Sequence, residues 1–299
     1  MIRTLRALIC SLSVVCAVSV HAADTVKFKP LGGAFQDAAN LPLKRPEGVA
    51  CTKTAIFVAD TENGRLVRYT LTNDELRDGV EVKIAQVSYP VRLKAAAMGR
   101  VLALDGKTRK IARLTAEGAF VAYLDLQNVP APAEVVPRSM AVDAKDNVYV
   151  LDILGERVLI VDPAGAYLRH IPLPKGYGAV SDVGIDQKGA VYVLDSSKAQ
   201  VYKAEPDAAL FKVFATGLQT SLNYAVSLDV DSQGRVYLLD QNDSAVIVLG
   251  PDGSFQGRYL SHGWKGGQLN YPTQACITEN GTFVVADRNN SRIQIFKIQ

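Results

Sequence analysis

Six aspartates, Asp60, Asp105, Asp152, Asp195, Asp240 and Asp287, follow one another at separations of 45, 47, 43, 45 and 47 residues, each directly after an apolar pair such as Val58-Ala59 or Val150-Leu151. A chain that repeats one local pattern at a near-constant interval builds near-equivalent units that bury their apolar faces against one another. The clearest copy spans Val136 to Val161. Alternating apolar residues there predict two short strands joined by a turn over Ala144 to Asn147, whose Asp and Asn side chains accept turn backbone angles. A second tight turn after Asp152 leads into the apolar run Val158-Leu159-Ile160-Val161. Helical periodicity is nearly absent. A period of roughly 40 to 50 residues made only of strands is the signature of a propeller blade, so the expected fold is an all-β, six-bladed β-propeller.

The blades are expected at about residues 46–87, 90–126, 137–172, 180–214, 225–260 and 272–299. Counting strands, the last copy stops one short, while Thr25-Val26-Lys27-Phe28-Lys29 reads as a strand without a partner in its own segment. The simplest completion places residues 25–29 as the outer strand of blade 6, which removes a free sheet edge and closes the ring. Gly32-Gly33 and Pro42 read as loop. Three linkers are long: Gln127 to Val136, Pro172 to Ala179, and Ser261 to Tyr271 with the only Trp, Trp264. Linkers from one blade's outer strand to the next blade's inner strand gather on one face, the default binding surface of such a scaffold.

Residues 1–23 read as a cleaved signal peptide, with Arg3 and Arg6, a short apolar stretch from Ala7 to Val20, and small residues at Ala22 and Ala23. The expected location is periplasmic or secreted, with residues 24–299 as one propeller domain and no membrane insertion after cleavage. The whole chain carries 33 Lys and Arg against 30 Asp and Glu, two of the bases lying in the leader. The remainder is close to neutral and gives no electrostatic footprint for nucleic acid.

Three segments carry a family resemblance. Pro46-Glu47-Gly48-Val49-Ala50, Pro137-Arg138-Ser139-Met140-Ala141-Val142-Asp143, and Val284 to Phe296, with the linker Gly266-Gly267-Gln268-Leu269-Asn270-Tyr271-Pro272, resemble the NHL repeat. The resemblance covers about residues 26 to 299 and implies an NHL/YVTN-like six-bladed propeller. It also implies relatives of several kinds, among them lyases and lactonases that hold a metal in the central channel. A three-His zinc site is out of reach with only His170 and His262 past the leader, both in outer-strand or loop positions.

The entry to each inner strand supplies the expected channel-mouth residues, Glu47, Arg92, Arg138, Asp182, Ser227 and Gln274. The six marker aspartates are expected to be structural, each accepting N–H groups of the turn that follows it. Cys51 and Cys276 fall on inner strands of blades adjacent across the ring closure. Two readings stay open for them: a disulfide suited to an oxidising compartment, or two small buried hydrophobes. No nucleophile elbow and no phosphate loop occurs. The leading expectation is therefore an exported, non-catalytic scaffold or binding protein with no cofactor. It would hold a protein or peptide partner of the cell envelope through the loop face and channel mouth, with Trp264 as a further contact. The competing expectation is a metal-dependent lactonase- or lyase-like enzyme in which Glu47, Asp182 and Gln274 bind a divalent ion. A third, recognition of polysaccharide, would want exposed aromatics, whereas Tyr149, Tyr192 and Tyr237 read as central-strand residues.

Overall fold

The computed structural model describes residues 26–299. The expected leader, residues 1–23, lies outside them, as does Thr25. Six four-stranded antiparallel sheets make up the fold, one for each copy of the repeat. Blade 1 consists of Gly48–Cys51, Ala55–Asp60, Arg65–Thr72 and Glu75–Val82, ordered from the inside outwards. Blades 2 to 5 repeat this order, and blade 6 takes Ala275–Ile277, Thr282–Asp287 and Arg292–Ile298. Its outer strand is the N-terminal Phe28–Ala34, paired antiparallel with Arg292–Ile298. Lys27 and Gln299 extend that pairing, exchanging backbone hydrogen bonds of 2.9 and 3.0 Å.

This N-terminal strand runs past its expected end and contains Gly32 and Gly33, which read as loop. A bulge between Pro30 and Gly32 admits them, and a Cβ on Gly33 would stand 2.0 Å from the Ile293 carbonyl oxygen. Glycine here is a condition for close strand approach, not a loop signal. The outer strand of blade 1, Glu75–Val82, follows directly on the third strand. Asn73 and Asp74, at φ 53° and 61°, form the two-residue hairpin turn that starts it at Glu75.

Second strands are buried along their whole length in all six blades. Both faces of each pack on neighbouring blades, which leaves one apolar cluster at each of the six interfaces. Tyr149, Tyr192 and Tyr237 are central-strand residues whose hydroxyls donate to Asp143, Asp186 and Asp231 in the turn of their own blade. Burial, followed by the charge of Asp143, pushes the Tyr149 hydroxyl up to about 12.

The marker aspartates are all fully buried. Each accepts an N–H from the linker that precedes its own blade, 16 or 17 residues earlier: Lys44, Tyr89, Val136, Gly178, Asn223 and Asn270, at 2.6–3.1 Å. The remaining oxygen capacity is filled in two ways. In blades 2, 4 and 5 it takes N–H groups of the following turn, such as those of Lys107 and Thr108 on Asp105. In blades 1, 3 and 6 it takes the Nε of an arginine five residues on, Arg65, Arg157 or Arg292, at 2.7–2.9 Å. Those arginines also donate to carbonyls of the linkers, as Arg157 does to Pro130 and Pro132 and Arg292 to Trp264, Lys265 and Gln268. The repeat therefore ties each linker to the blade it enters.

For Asp105, burial alone would raise the pKa, but the N–H groups of Thr108, Tyr89 and Lys107 outweigh it and hold the carboxyl below its ordinary 3.8. A depressed folded-state pKa contributes stability that is present above the unfolded value and is lost as pH falls through the folded one. Unfolding free energy measured by denaturant titration is expected to fall as pH drops below 3.8. The D105N variant should flatten that part of the curve.

Candidate functional site at the channel mouth

Four of the six inner strands enter their sheets through a bulge. Between Pro90 and Arg92, Pro137 and Ser139, Val180 and Asp182, and Ala225 and Ser227, the register against the second strand shifts by one residue. The equivalent positions opposite the residue before each marker aspartate are consequently Gly48, Arg92, Ser139, Asp182, Ser227 and Gln274. Four of the six expected mouth residues hold this position. Glu47 and Arg138 do not: each stands one residue earlier, Arg138 in the bulge, as Val91, Ser181 and Val226 do, and Glu47 just before its strand begins. A bulge adds a residue without disturbing the apolar pattern, so it leaves no trace in periodicity.

That inner ring is a cross-braced plug rather than a solvated ring of charges. Arg92 reaches across the axis from blade 2 and donates to the Thr273 carbonyl at 2.9 Å and the Val226 carbonyl at 3.1 Å. Burial lowers its pKa, and no carboxylate among the described residues is paired with it: Asp182 and Glu47 act on it only through space, and Arg138 opposes them. Gln274 bridges from blade 6 to blades 1 and 2, its Oε1 accepting from Val49 and Leu93 N–H and its Nε2 donating to the Leu93 carbonyl. Gly48 leaves the room, since a Cβ there would meet Gln274 Oε1 at 3.2 Å. Asp182 accepts from Ser139 Oγ, from Val183 N–H at 3.0 Å and from Leu228 N–H at 2.7 Å, linking blades 3, 4 and 5. Ser227 Oγ accepts from Ala275 N–H. One layer deeper, Lys94 of blade 2 meets Asp229 of blade 5 across the axis at 3.5 Å. Burial would lower the Lys94 pKa, but Asp229 and Asp182 outweigh it and raise it.

Above the plug lies a cup of ≈ 560 Å³, lined by Arg92, Arg109, Arg138, Tyr89, Tyr224 and Tyr271 among others. Glu47, its one acid besides the buried Asp105, is engaged by Arg288 Nε at 3.0 Å. The Arg288 guanidinium in turn sits 5.7 Å from the Tyr271 ring centre. Arg109 and Arg138 are exposed, and among the described residues neither side chain has a hydrogen-bonded or ion-paired partner. Lys107 approaches the cup over the ring of Tyr89 at 5.1 Å. The cup is thus basic and aromatic. Arg109 and the three tyrosines escaped the sequence reading, although a signal existed: Tyr89, Tyr224 and Tyr271 each stand 16 residues before a marker aspartate.

Trp264 is 75% exposed, and only its backbone is fixed, its carbonyl accepting from Arg292 at 2.9 Å. Its ring therefore adds nothing to the core. The W264A variant is expected to unfold within about 0.5 kcal/mol of the parent, as exposed positions away from structural features do, a value denaturant titration checks. Cys51 and Cys276 are joined as a disulfide with Cα atoms 5.7 Å apart, binding blade 1 to blade 6. His170 pairs with the Tyr167 hydroxyl, and His262 lies 3.5 Å from Ser244 Oγ.

The three expected metal ligands do not share a site. Glu47 is held by Arg288 at the rim, while Asp182 and Gln274 are spent on backbone groups of different blades. Among the described residues no group of three or more His, Cys, Asp or Glu is placed to hold a metal ion.

Fold and site together define a six-bladed β-propeller with a plugged axis and a basic cup on its loop face. Its last blade carries the NHL repeat, which matches residues 269–296. No curated protein matches the sequence. Among solved structures, the chain is similar to a streptogramin B lyase at 10% identity and TM-score 0.63, over 94% of this chain and 100% of that one. It is similar to a gluconolactonase of Xanthomonas campestris at 12% identity and TM-score 0.66, over 93% and 99%. A protein of unknown function from Bacteroides thetaiotaomicron gives 14% identity and TM-score 0.69, over 92% and 76%. At these identities the likeness is one of fold.

Proposed function

We propose that this propeller is an exported, non-catalytic binding protein whose loop face holds an acidic protein or peptide segment of the cell envelope in the channel-mouth cup. The observation that carries the reading is the pair of unpartnered guanidiniums, Arg109 and Arg138, around a half-buried Arg92 that, among the described residues, lacks a contacting carboxylate. A carboxylate entering the cup would meet free guanidinium forks that can bind it in bidentate fashion, with Tyr89, Tyr224 and Tyr271 as amphipathic walls. The expected signal peptide and the Cys51–Cys276 bond both suit an oxidising compartment outside the cytoplasm. Trp264, at the edge of the same face, is a candidate second contact, since exposed aromatics commonly anchor interfaces.

The test is affinity capture of the tagged protein from its own envelope fraction after mild cross-linking, comparing the parent with R109A/R138A and W264A. The reading predicts one stoichiometric protein partner, lost in R109A/R138A and weakened in W264A. The same partner recovered undiminished by R109A/R138A would remove the cup from the account. Recovery of the propeller alone, with about one equivalent of a bound metal, would replace the reading altogether.

A further inference from the structure

The interface between blades 2 and 3 contains a cavity of ≈ 160 Å³ whose walls are mainly Val101, Leu102, Leu114, Val121, Val142 and Val148. Its origin is visible in the repeat. Three residues before the marker aspartate, blades 1, 3, 4 and 5 place a ring, namely Phe57, Tyr149, Tyr192 and Tyr237, each in the cluster shared with the following blade. Blade 2 has Leu102 at that position and blade 6 has Val284. In blades 3, 4 and 5 the ring hydroxyl donates to Asp143, Asp186 or Asp231, and blade 2 has Ala96 in the corresponding turn. Ring and hydroxyl partner are missing together, and both replacements line the cavity.

In blades 1 and 4 a cation stands across the strand from the ring, and blade 2 keeps a cation at the same place, whereas blades 3 and 5 have Ile160 and Val248 there. The cross-strand partners of Phe57 and Tyr192 are Arg68 and Lys203, which lie over those rings at 5.9 and 5.5 Å. The cross-strand partner of Leu102 is Arg113. Its Nη2 is buried with no hydrogen-bond partner among the described residues. An unpaired buried donor of this kind is costly, and burial, seconded against Asp162 by the charge of Arg100, lowers the Arg113 pKa. Asp146, at the edge of the cavity, is already occupied by Arg100 and Ala97 N–H. A dry cavity of about 150 Å³ is large enough to admit benzene.

We propose that this cavity is a binding site for a small monocyclic aromatic acid, the ring filling the place vacated at Leu102 and the carboxylate accepting from Arg113 Nη2. The site is independent of the channel-mouth cup, lying among the turns and walls of blades 2 and 3. Ring burial against valine and leucine supplies the attraction and the guanidinium supplies the selectivity.

The test uses benzoate as probe on the whole exported chain, with calorimetry for affinity and methyl resonances of Val101, Val121, Val142 and Val148 for location. Saturable binding with shifts at those methyls is expected. R113M should weaken it by roughly tenfold or more, and benzyl alcohol should bind the parent about as poorly as benzoate binds R113M. L102F, which supplies the ring found in blades 1, 3, 4 and 5, should abolish binding while unfolding no more easily than the parent. Absence of saturable benzoate binding to the folded parent, shifts confined to other residues, or unchanged affinity in folded R113M or L102F would each overturn the proposal.

Discussion

Replacing Asp152 by Ala should lower the free energy of unfolding by about 3–5 kcal/mol. Asp152 and Arg157 have side chains 0% and 3% exposed, with Nε and Oδ2 2.9 Å apart. Removing the carboxylate leaves a guanidinium deep in the blade with only the Pro130 and Pro132 carbonyls, and an unpaired Val136 N–H besides. Breaking one side of a buried pair costs more than the pair contributes net, because the stranded charge keeps its desolvation penalty. The comparison with Asp240 makes the argument specific. Asp240 receives only N–H groups, from Asn223, Tyr224, Asn242 and Asp243, so D240A should cost about 1–3 kcal/mol. The double variant D152A/R157M should recover part of the loss by removing the stranded cation. Denaturant midpoints for the three variants decide it. Equal losses in D152A and D240A would mean that the arginine adds nothing.

Breaking the Cys51–Cys276 bond should cost a similar amount, about 3–5 kcal/mol. The bond spans a sequence separation of 225, so in the chain-entropy view it restricts the unfolded chain strongly. It also lies where the ring closes, between blade 1 and the blade that borrows its outer strand from the N-terminus. Two closures thus hold the same seam, one covalent and one through the pairing of Phe28–Ala34. Denaturation of the parent with and without reductant, and of C51S/C276S, should agree on the loss. A parent that unfolds at the same midpoint with and without reductant would show that strand pairing alone secures the seam.

The period made the six blades and the borrowed strand legible, because an aspartate buried after an apolar pair recurs wherever a linker must be tied down. The site was legible only in part. Arg92, Asp182, Ser227 and Gln274 sit at the ring position, but Arg138 falls in a bulge, which shifts register by one residue and leaves hydrophobic alternation unchanged, and Glu47 stands just before its strand begins. The plug was hidden for a different reason. Nothing local in the sequence says that Arg92 will bond carbonyls at Val226 and Thr273, more than 130 residues away. The arginines Arg65, Arg157 and Arg292, five residues after their aspartates, were visible as a pattern once the partner of each carboxylate was known.

The most direct test of the central claim places a photo-crosslinking residue at Ile153, which lines the cup and is 38% exposed, and separately at Lys188 in the turn between the first two strands of blade 4. Irradiation in the native envelope should yield a single protein adduct from position 153 and none from position 188, with the adduct suppressed when Arg109 and Arg138 are also replaced by Ala. An adduct from position 188 alone, or one from position 153 that survives loss of both arginines, would contradict binding in the basic cup.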